Sequence, residues 1–195
     1  MFNSIYTDSS LSIAEELILK GEIIAYPTDT LYGLGVDATN SEAVKLLNKL
    51  KKRKQPYSII VSSINMLKKY AYFSINDEEK IKKYLPGPYT LILKKKDTDL
   101  SKLITLDLST VGIRIPKHDF CLNLINKIKK PIVTTSINKH GDKPLNTIND
   151  IQNNFPQINL FKDDKINTNS QGSTIIDFVI KPEKILRQGD GTYKS

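Results

Sequence analysis

Apolar positions recur at helical spacing from about residue 10 to 21, through the run Ile13-Ala-Glu-Glu-Leu-Ile-Leu-Lys20. Ser10 or Ser12 can cap this helix and Gly21 ends it. Residues 22–26 form a short apolar run that predicts a buried strand, stopped by Pro27 and followed by a polar loop over 27–35. Ser41 is positioned to cap a second helix, with Ala43, Val44, Leu46, Leu47 and Leu50 on its apolar face, running into Lys51-Lys-Arg-Lys54. Residues 57–62 read as a strand, and the lysine-rich stretch 64–85 as helix in two pieces. Pro86-Gly-Pro88 marks a turn before strands at 89–93 and 110–115. A helix from Asp119 to about Lys129, a strand over 131–135, a capped helix over 147–155 and late strands over 173–178 and 184–187 complete the pattern. Helices and strands interleave irregularly, and several strand pairs lack a helix between them. This predicts an α/β fold: one twisted, mixed parallel and antiparallel open sheet flanked by helices. The polar, asparagine-rich stretch 162–172 is the expected mobile surface loop.

The chain has 195 residues, the size of one compact domain, so a single domain over 1–195 is expected. No apolar run approaches the roughly 20 residues a membrane helix needs, and residues 1–11 show no secretory leader pattern. One cysteine, Cys121, makes no internal disulfide, which fits a reducing compartment, and a cytoplasmic location is expected. With His118 and His140 it supplies too few soft ligands for a zinc or iron–sulfur site, so no protein-bound metal is expected.

The formal net charge of +8 favours anionic partners such as nucleotides or RNA, although a lysine-rich surface alone also produces it. Arginine occurs only at Arg53, Arg114 and Arg187. Where lysine supplies the generic charge, these mark positions suited to a planar multi-donor fork. Familiar phosphate loops, zinc pairs and nucleophile elbows are absent. What remains is a set of strand-end clusters of hydroxyls and cations: Pro27-Thr-Asp-Thr30, Lys51 and Arg53, Thr134 to Asn138, Ser173-Thr174, Arg114 and Arg187. Each reads alone as a turn, a solvated helix end or an ordinary strand end. Together, in an open α/β sheet, they describe a site for a small anion plus a nucleotide.

The ordered series Ala25-Tyr-Pro-Thr-Asp-Thr-Leu-Tyr-Gly-Leu-Gly35, Lys51-Lys-Arg53, Pro86-Gly-Pro-Tyr-Thr90, Val111-Gly-Ile-Arg-Ile-Pro116, Thr135-Ser-Ile-Asn138, Gly172-Ser-Thr-Ile-Ile-Asp177 and Ile185-Leu-Arg-Gln-Gly189 resembles the YrdC-like domain of threonylcarbamoyl-AMP synthases over about residues 10–191. The resemblance implies a synthase joining L-threonine, bicarbonate and ATP, with Mg²⁺ accompanying the ATP, for threonylcarbamoyladenosine modification of tRNA. Its partners would be the proteins that transfer the threonylcarbamoyl group, with tRNA or double-stranded RNA on the basic face and no membrane. By motif, Thr30, Ser62, Arg114, Thr134 and Ser173 would hold threonine. Lys51, Arg53, Tyr57, Thr110, Ser136, Asn138, Pro144 and Arg187 would hold ATP, with Lys51, Arg53 and Ser136 closest to the chemistry. For the general base, Asp29 and the substrate's own carboxylate both stay open.

The chain departs from the family pattern in places. Lys54 follows Arg53 where proline is usual, and Ser62 stands where a histidine often helps to bind threonine. Ile137 enlarges the middle of the Ser-x-Asn motif. The extra C-terminal domain of longer members is expected to be absent. The segment after Arg53 also resembles YciO-like paralogues, so a nucleotide-binding paralogue or an RNA-binding module with little synthase activity are the competing expectations.

Overall fold

The computed structural model describes residues 2–7, 9–52, 55–138 and 141–193. In chain order the elements are β1 (Phe2–Ser4), α1 (Ser10–Leu19), β2 (Ile24–Tyr26), β3 (Gly33–Gly35), α2 (Ser41–Lys51), β4 (Ser58–Ile60), α3 (Ile64–Tyr70), β5 (Ala71–Tyr72), α4 (Ile75–Tyr84) and β6 (Tyr89–Lys95). There follow α5 (Lys102–Thr105), β7 (Thr110–Arg114), α6 (Asp119–Ile128), β8 (Ile132–Ser136), α7 (Ile148–Asn154), β9 (Asn159–Lys162), β10 (Thr174–Asp177) and β11 (Lys184–Arg187). The strands make one sheet in the order β1-β9-β2-β3-β8-β4-β7-β6-β10-β11, with β5 beside β6. Pairings β1/β9, β2/β9, β4/β7 and β6/β10 are parallel and the others antiparallel, so the sheet is mixed as the element spacing predicts.

The helices follow their apolar stripes. In α6, Phe120, Cys121, Leu124, Ile125 and Ile128 are buried, the spacing of one helical face. Helix α2 buries Ala43, Val44, Leu47 and Lys51. Here the structure corrects the reading of Leu46, which is 54% exposed. The buried stripe instead continues through Lys51, only 1% exposed, because residue 51 lies two turns beyond Ala43 and Val44 on the same face.

Capping differs from expectation. Asn40 caps α2, its side chain accepting from the Glu42 and Ala43 N–H groups, and Ser41 is the first helical residue. At α1 neither Ser10 nor Ser12 caps; Ser10 Oγ donates to the Thr7 and Ile5 carbonyls.

Strands β1 and β9 and helix α5 carry too little pattern to be read from sequence, and β3 reads as loop. Strand β3 pairs with β2 and β8 because it is nearly side-chain-free on one face. A Cβ at Gly35 would lie 2.5 Å from Tyr26 Cε1 and 2.8 Å from Ile132 Cγ2. The Tyr26 ring fills the space that glycine leaves.

Candidate active site

Alternate residues of neighbouring strands share one face of the sheet. Thr90 and Ile92 of β6, Thr110, Gly112 and Arg114 of β7, Thr134 and Ser136 of β8, and Ile175 and Asp177 of β10 line a single open cavity of about 590 Å³. This is within the range of small-molecule sites. The Pro27–Gly35 loop supplies Thr30, Leu31 and Tyr32, while Gly172, Ser173 and Arg187 close the other side. Gly112 gives the floor its depth: a Cβ there would meet Ser58 Oγ at 2.5 Å.

Arg114 stands at the end of β7 and is 6% exposed. Its Nη2 donates to Asp29 Oδ1 at 2.8 Å and to Thr30 Oγ1 at 3.1 Å, while its Nε is buried with no hydrogen-bond partner. The other Asp29 oxygen accepts the Lys117 N–H at 3.0 Å. Each Asp29 oxygen thus accepts a hydrogen bond, and the carboxylate orients Arg114. Thr28 completes the loop, its hydroxyl donating to the Leu31 carbonyl at 2.7 Å and accepting the Thr30 N–H at 3.1 Å.

On the facing side, Arg187 Nε and Nη2 both donate to the Ser173 carbonyl, at 3.2 and 2.7 Å, and Nη2 also donates to Ser173 Oγ at 3.2 Å. Ser173 Oγ and Thr90 Oγ1 are 2.7 Å apart. Partial burial of its guanidinium first, and the charge of Arg114 second, lower the Arg187 pKa from its ordinary value. Two guanidinium groups 73 positions apart in the chain thus face a common space.

Of the residues singled out by sequence, Thr30, Tyr57, Thr110, Arg114, Thr134, Ser136, Pro144, Ser173 and Arg187 line the cavity. Arg53 lies outside the described residues. Lys51, expected among the ATP-holding residues, is 1% exposed. Carried inward by α2, its Nζ donates to the Ser136 carbonyl at 2.6 Å and to Asn138 Oδ1 at 2.7 Å, so it fastens the turn after β8. Asn138 is held there too, accepting from Ser136 Oγ at 2.9 Å, and neither Lys51 nor Asn138 lines the cavity. Ser62 also falls outside the lining. It follows β4 immediately before the Ser63 cap of α3, and its hydroxyl points to Met66 Sδ at 3.7 Å.

Sequence reasoning passed over Thr90, although it sits in the Pro86–Thr90 motif; only the parallel pairing of β6 with β10 brings it to Ser173. In the 162–172 stretch, expected to be a mobile surface loop, several residues hydrogen-bond to other parts of the fold. Asp163 Oδ1 accepts from the Tyr6 hydroxyl at 2.6 Å, and its Oδ2 lies 3.1 Å from His118 Nε2. Asn146 Nδ2 donates to the Asn167 carbonyl at 2.9 Å. These polar side chains satisfy a loop that has few apolar anchors.

Residues 16–189 match the family model for the Sua5, YciO and YrdC proteins, described as telomere recombination. The chain belongs to this family. A threonylcarbamoyl-AMP synthase of Pyrococcus abyssi is 32% identical over 183 residues, covering 92% of this chain and 54% of the relative. One from Photobacterium profundum is 35% identical over 139 residues, covering 69% of this chain and 75% of the relative. In three dimensions the chain superimposes on P. abyssi Sua5 complexed with L-threonine with a TM-score of 0.89 at 29% identity, covering 97% of this chain and 57% of the other. The chain therefore spans about half the length of its P. abyssi relative. The family match and the mixed sheet agree with the fold and family expected from the motif series.

Proposed function

We propose that the protein is an L-threonylcarbamoyladenylate synthase, converting L-threonine, bicarbonate and ATP to threonylcarbamoyl-AMP and pyrophosphate. The observation that carries this reading is Arg114. Its buried Nε lacks an acceptor, it lines the cavity, and Arg187 faces the same cavity from the other side. A buried guanidinium nitrogen without a partner is costly unless a ligand accepts from it, and a carboxylate is the acceptor its fork suits.

In this reading the threonine carboxylate lies against Arg114, with Thr30, Thr134 and Ser173 around the amino acid. The amine attacks bicarbonate-derived CO₂ and loses a proton, giving a carbamate. A carbamate oxygen then forms a bond to the α-phosphorus of ATP as the bond from that phosphorus to the bridging oxygen breaks, and the electron pair leaves on pyrophosphate. Negative charge grows on the phosphoryl oxygens and the leaving group. In this reading the cavity-lining Arg187, Ser136 and Thr110 supply the positive charge and dipoles that stabilise it. No covalent enzyme intermediate is needed.

Among the described residues no group of three or more His, Cys, Asp or Glu could hold a metal, and Asp177 is the one carboxylate of the lining. Magnesium fits as a companion of the substrate, arriving on the ATP phosphates. Among the described residues no helix is long and apolar enough to cross a membrane. The proposal puts the reaction in the cytoplasm, with transfer proteins delivering the product to tRNA, and the basic surface suits tRNA or double-stranded RNA.

Pyrophosphate release that requires both threonine and bicarbonate tests the proposal. Nucleotide binding without turnover would point to a YciO-like paralogue, and RNA binding without turnover to a binding module.

A further inference from the structure

We propose that Asp190, which does not line the cavity, is a positioning residue for its nucleotide end. Its carboxylate and backbone clamp residues 170–172, so that Gln171 and Gly172 form a fixed wall beside the Arg187 guanidinium. The inference rests on the synthase reading for its kinetic consequences, though not for its geometry.

Asp190 makes three contacts with this segment. Oδ1 accepts the Gln171 N–H at 2.7 Å, Oδ2 accepts the Ser170 hydroxyl, and the Asp190 N–H donates to the Gly172 carbonyl at 2.8 Å. Ser170 Oγ in turn accepts the Gly172 N–H at 3.0 Å, closing the turn on itself. Gln171 and Gly172 are both cavity-lining residues. Gly172 has a φ of +82°, and a Cβ there would stand 3.5 Å from Arg187 Nη2. The clamped segment and the guanidinium are therefore immediate neighbours.

Besides Asp190, the segment is held by the Asn146 bond to the Asn167 carbonyl and by hydrogen bonds within its own turn. Residues 167–171 read Asn-Thr-Asn-Ser-Gln, with no apolar side chain to bury. A short polar segment of this kind opens at small free-energy cost unless side-chain hydrogen bonds fix it. Asp190, by contrast, is delivered to a defined place. Gly189 N–H donates to Thr174 Oγ1 at 2.9 Å, and Thr174 Oγ1 donates to the Gly191 carbonyl at 2.6 Å. The backbones run so close that a Cβ at Gly189 would lie 2.2 Å from the Gly172 carbonyl oxygen. The end of β11 thus sets Arg187 on Ser173 and, three residues on, Asp190 on 170–172. Loosening the clamp moves the wall against which Arg187 presents its charge, while Ser173 keeps its separate bond to Thr90.

Steady-state kinetics on the full chain test the assignment. Asp190→Ala is expected to raise the KM for ATP about tenfold, with kcat within about twofold and the threonine KM within about threefold. Asp190→Asn is expected to recover an ATP KM within about twofold of the parent. Its amide oxygen can accept from Gln171 N–H, and its NH₂ can donate to Ser170 Oγ. Independently of turnover, hydrogen exchange at the Gln171 amide should accelerate about tenfold or more in the alanine variant and stay slow in the asparagine variant.

An unchanged ATP KM and unchanged Gln171 exchange in Asp190→Ala would overturn the proposal. So would an asparagine variant as impaired as alanine, or equal losses in kcat, both KM values and melting temperature. If the parent protein releases no threonine-dependent pyrophosphate, the synthase reading fails, and the Gln171 exchange rates still decide whether the clamp exists.

Discussion

Arg114 and Asp29, 85 positions apart in the chain, meet at 2.8 Å with each side chain only 8% exposed. Removing one partner of such a buried pair leaves the other charge without compensation, a loss of about 3–5 kcal/mol. Asp29→Asn keeps an acceptor but deletes the charge, so a loss toward the lower end, about 3 kcal/mol, is expected in urea unfolding. A midpoint shift equivalent to under about 0.5 kcal/mol would contradict it. Arg114→Lys is expected to raise the threonine KM about tenfold or more, because an ammonium cannot bond Asp29 and grip a carboxylate with a planar fork. A parental threonine KM in that variant would remove Arg114 from the substrate site.

Lys51 supplies a second expectation. Lys51→Met retains the length of the chain on the buried face of α2 but deletes the bonds to the Ser136 carbonyl and Asn138. A stability loss of about 1–3 kcal/mol is expected, together with an ATP KM raised about tenfold as the Ser136–Asn138 turn shifts. Both are read from chemical denaturation and from pyrophosphate release. Should ATP KM hold while stability falls, the turn does not report on nucleotide binding.

Gly35→Ala would place a methyl group 2.5 Å from the Tyr26 ring and 2.8 Å from Ile132, both buried. Overpacking of this kind is expected to destabilise by about 1–3 kcal/mol. The pairing of Tyr26→Phe with Gly35→Ala should give no relief, since the clash is with the ring carbon Cε1 and not the hydroxyl. Calorimetric melting checks it, and a melting temperature equal to the parent would show that the β2–β3 contact is looser than the structure has it.

Acid sensitivity is the fourth expectation. Hydrogen bonding from Lys80 first and from the backbone at Glu183 itself second, with burial opposing and Lys181 adding to them, lowers the Glu183 pKa from the usual 4.5 to about 2. A carboxylate whose folded pKa is depressed stabilises the fold at pH values above its unfolded pKa. That contribution fades as pH falls from about 4.5 toward 2. Glu183 ties α4, through Lys80, to the turn between β10 and β11, through Lys181. The urea midpoint of Glu183→Gln should therefore lie below the parent at pH 6 and converge with it by about pH 2–3. A gap that stays constant across this range would show that the charge of Glu183 is immaterial.

The chain's local patterns revealed its local structure well. The stripes of α1 and α6, the two-piece helix at α3 and α4 and the strands β6, β7, β8 and β10 all follow from spacing. Strand β3 did not, because two glycines in three residues leave no polar alternation to read, and α2 was read with Leu46 in place of Lys51 on its buried face. The hydroxyl and arginine clusters were visible as strand-end polar residues, and the ordered motif series marked the family. Thr90 and Asp190 escaped notice, since nothing near either in sequence shows what it will touch.

By itself, the sequence determined the element types, the mixed α/β class and the inventory of cationic and hydroxyl groups, because periodicity, capping and turn chemistry act over a few residues. Only the tertiary structure decided that β8 lies between β3 and β4, that Arg114 meets Asp29, that Lys51 turns inward beneath Ser136, and that Asp190 reaches back to residue 171. Those contacts depend on strand order and register across the sheet, where a shift of one residue sends every side chain to the opposite face.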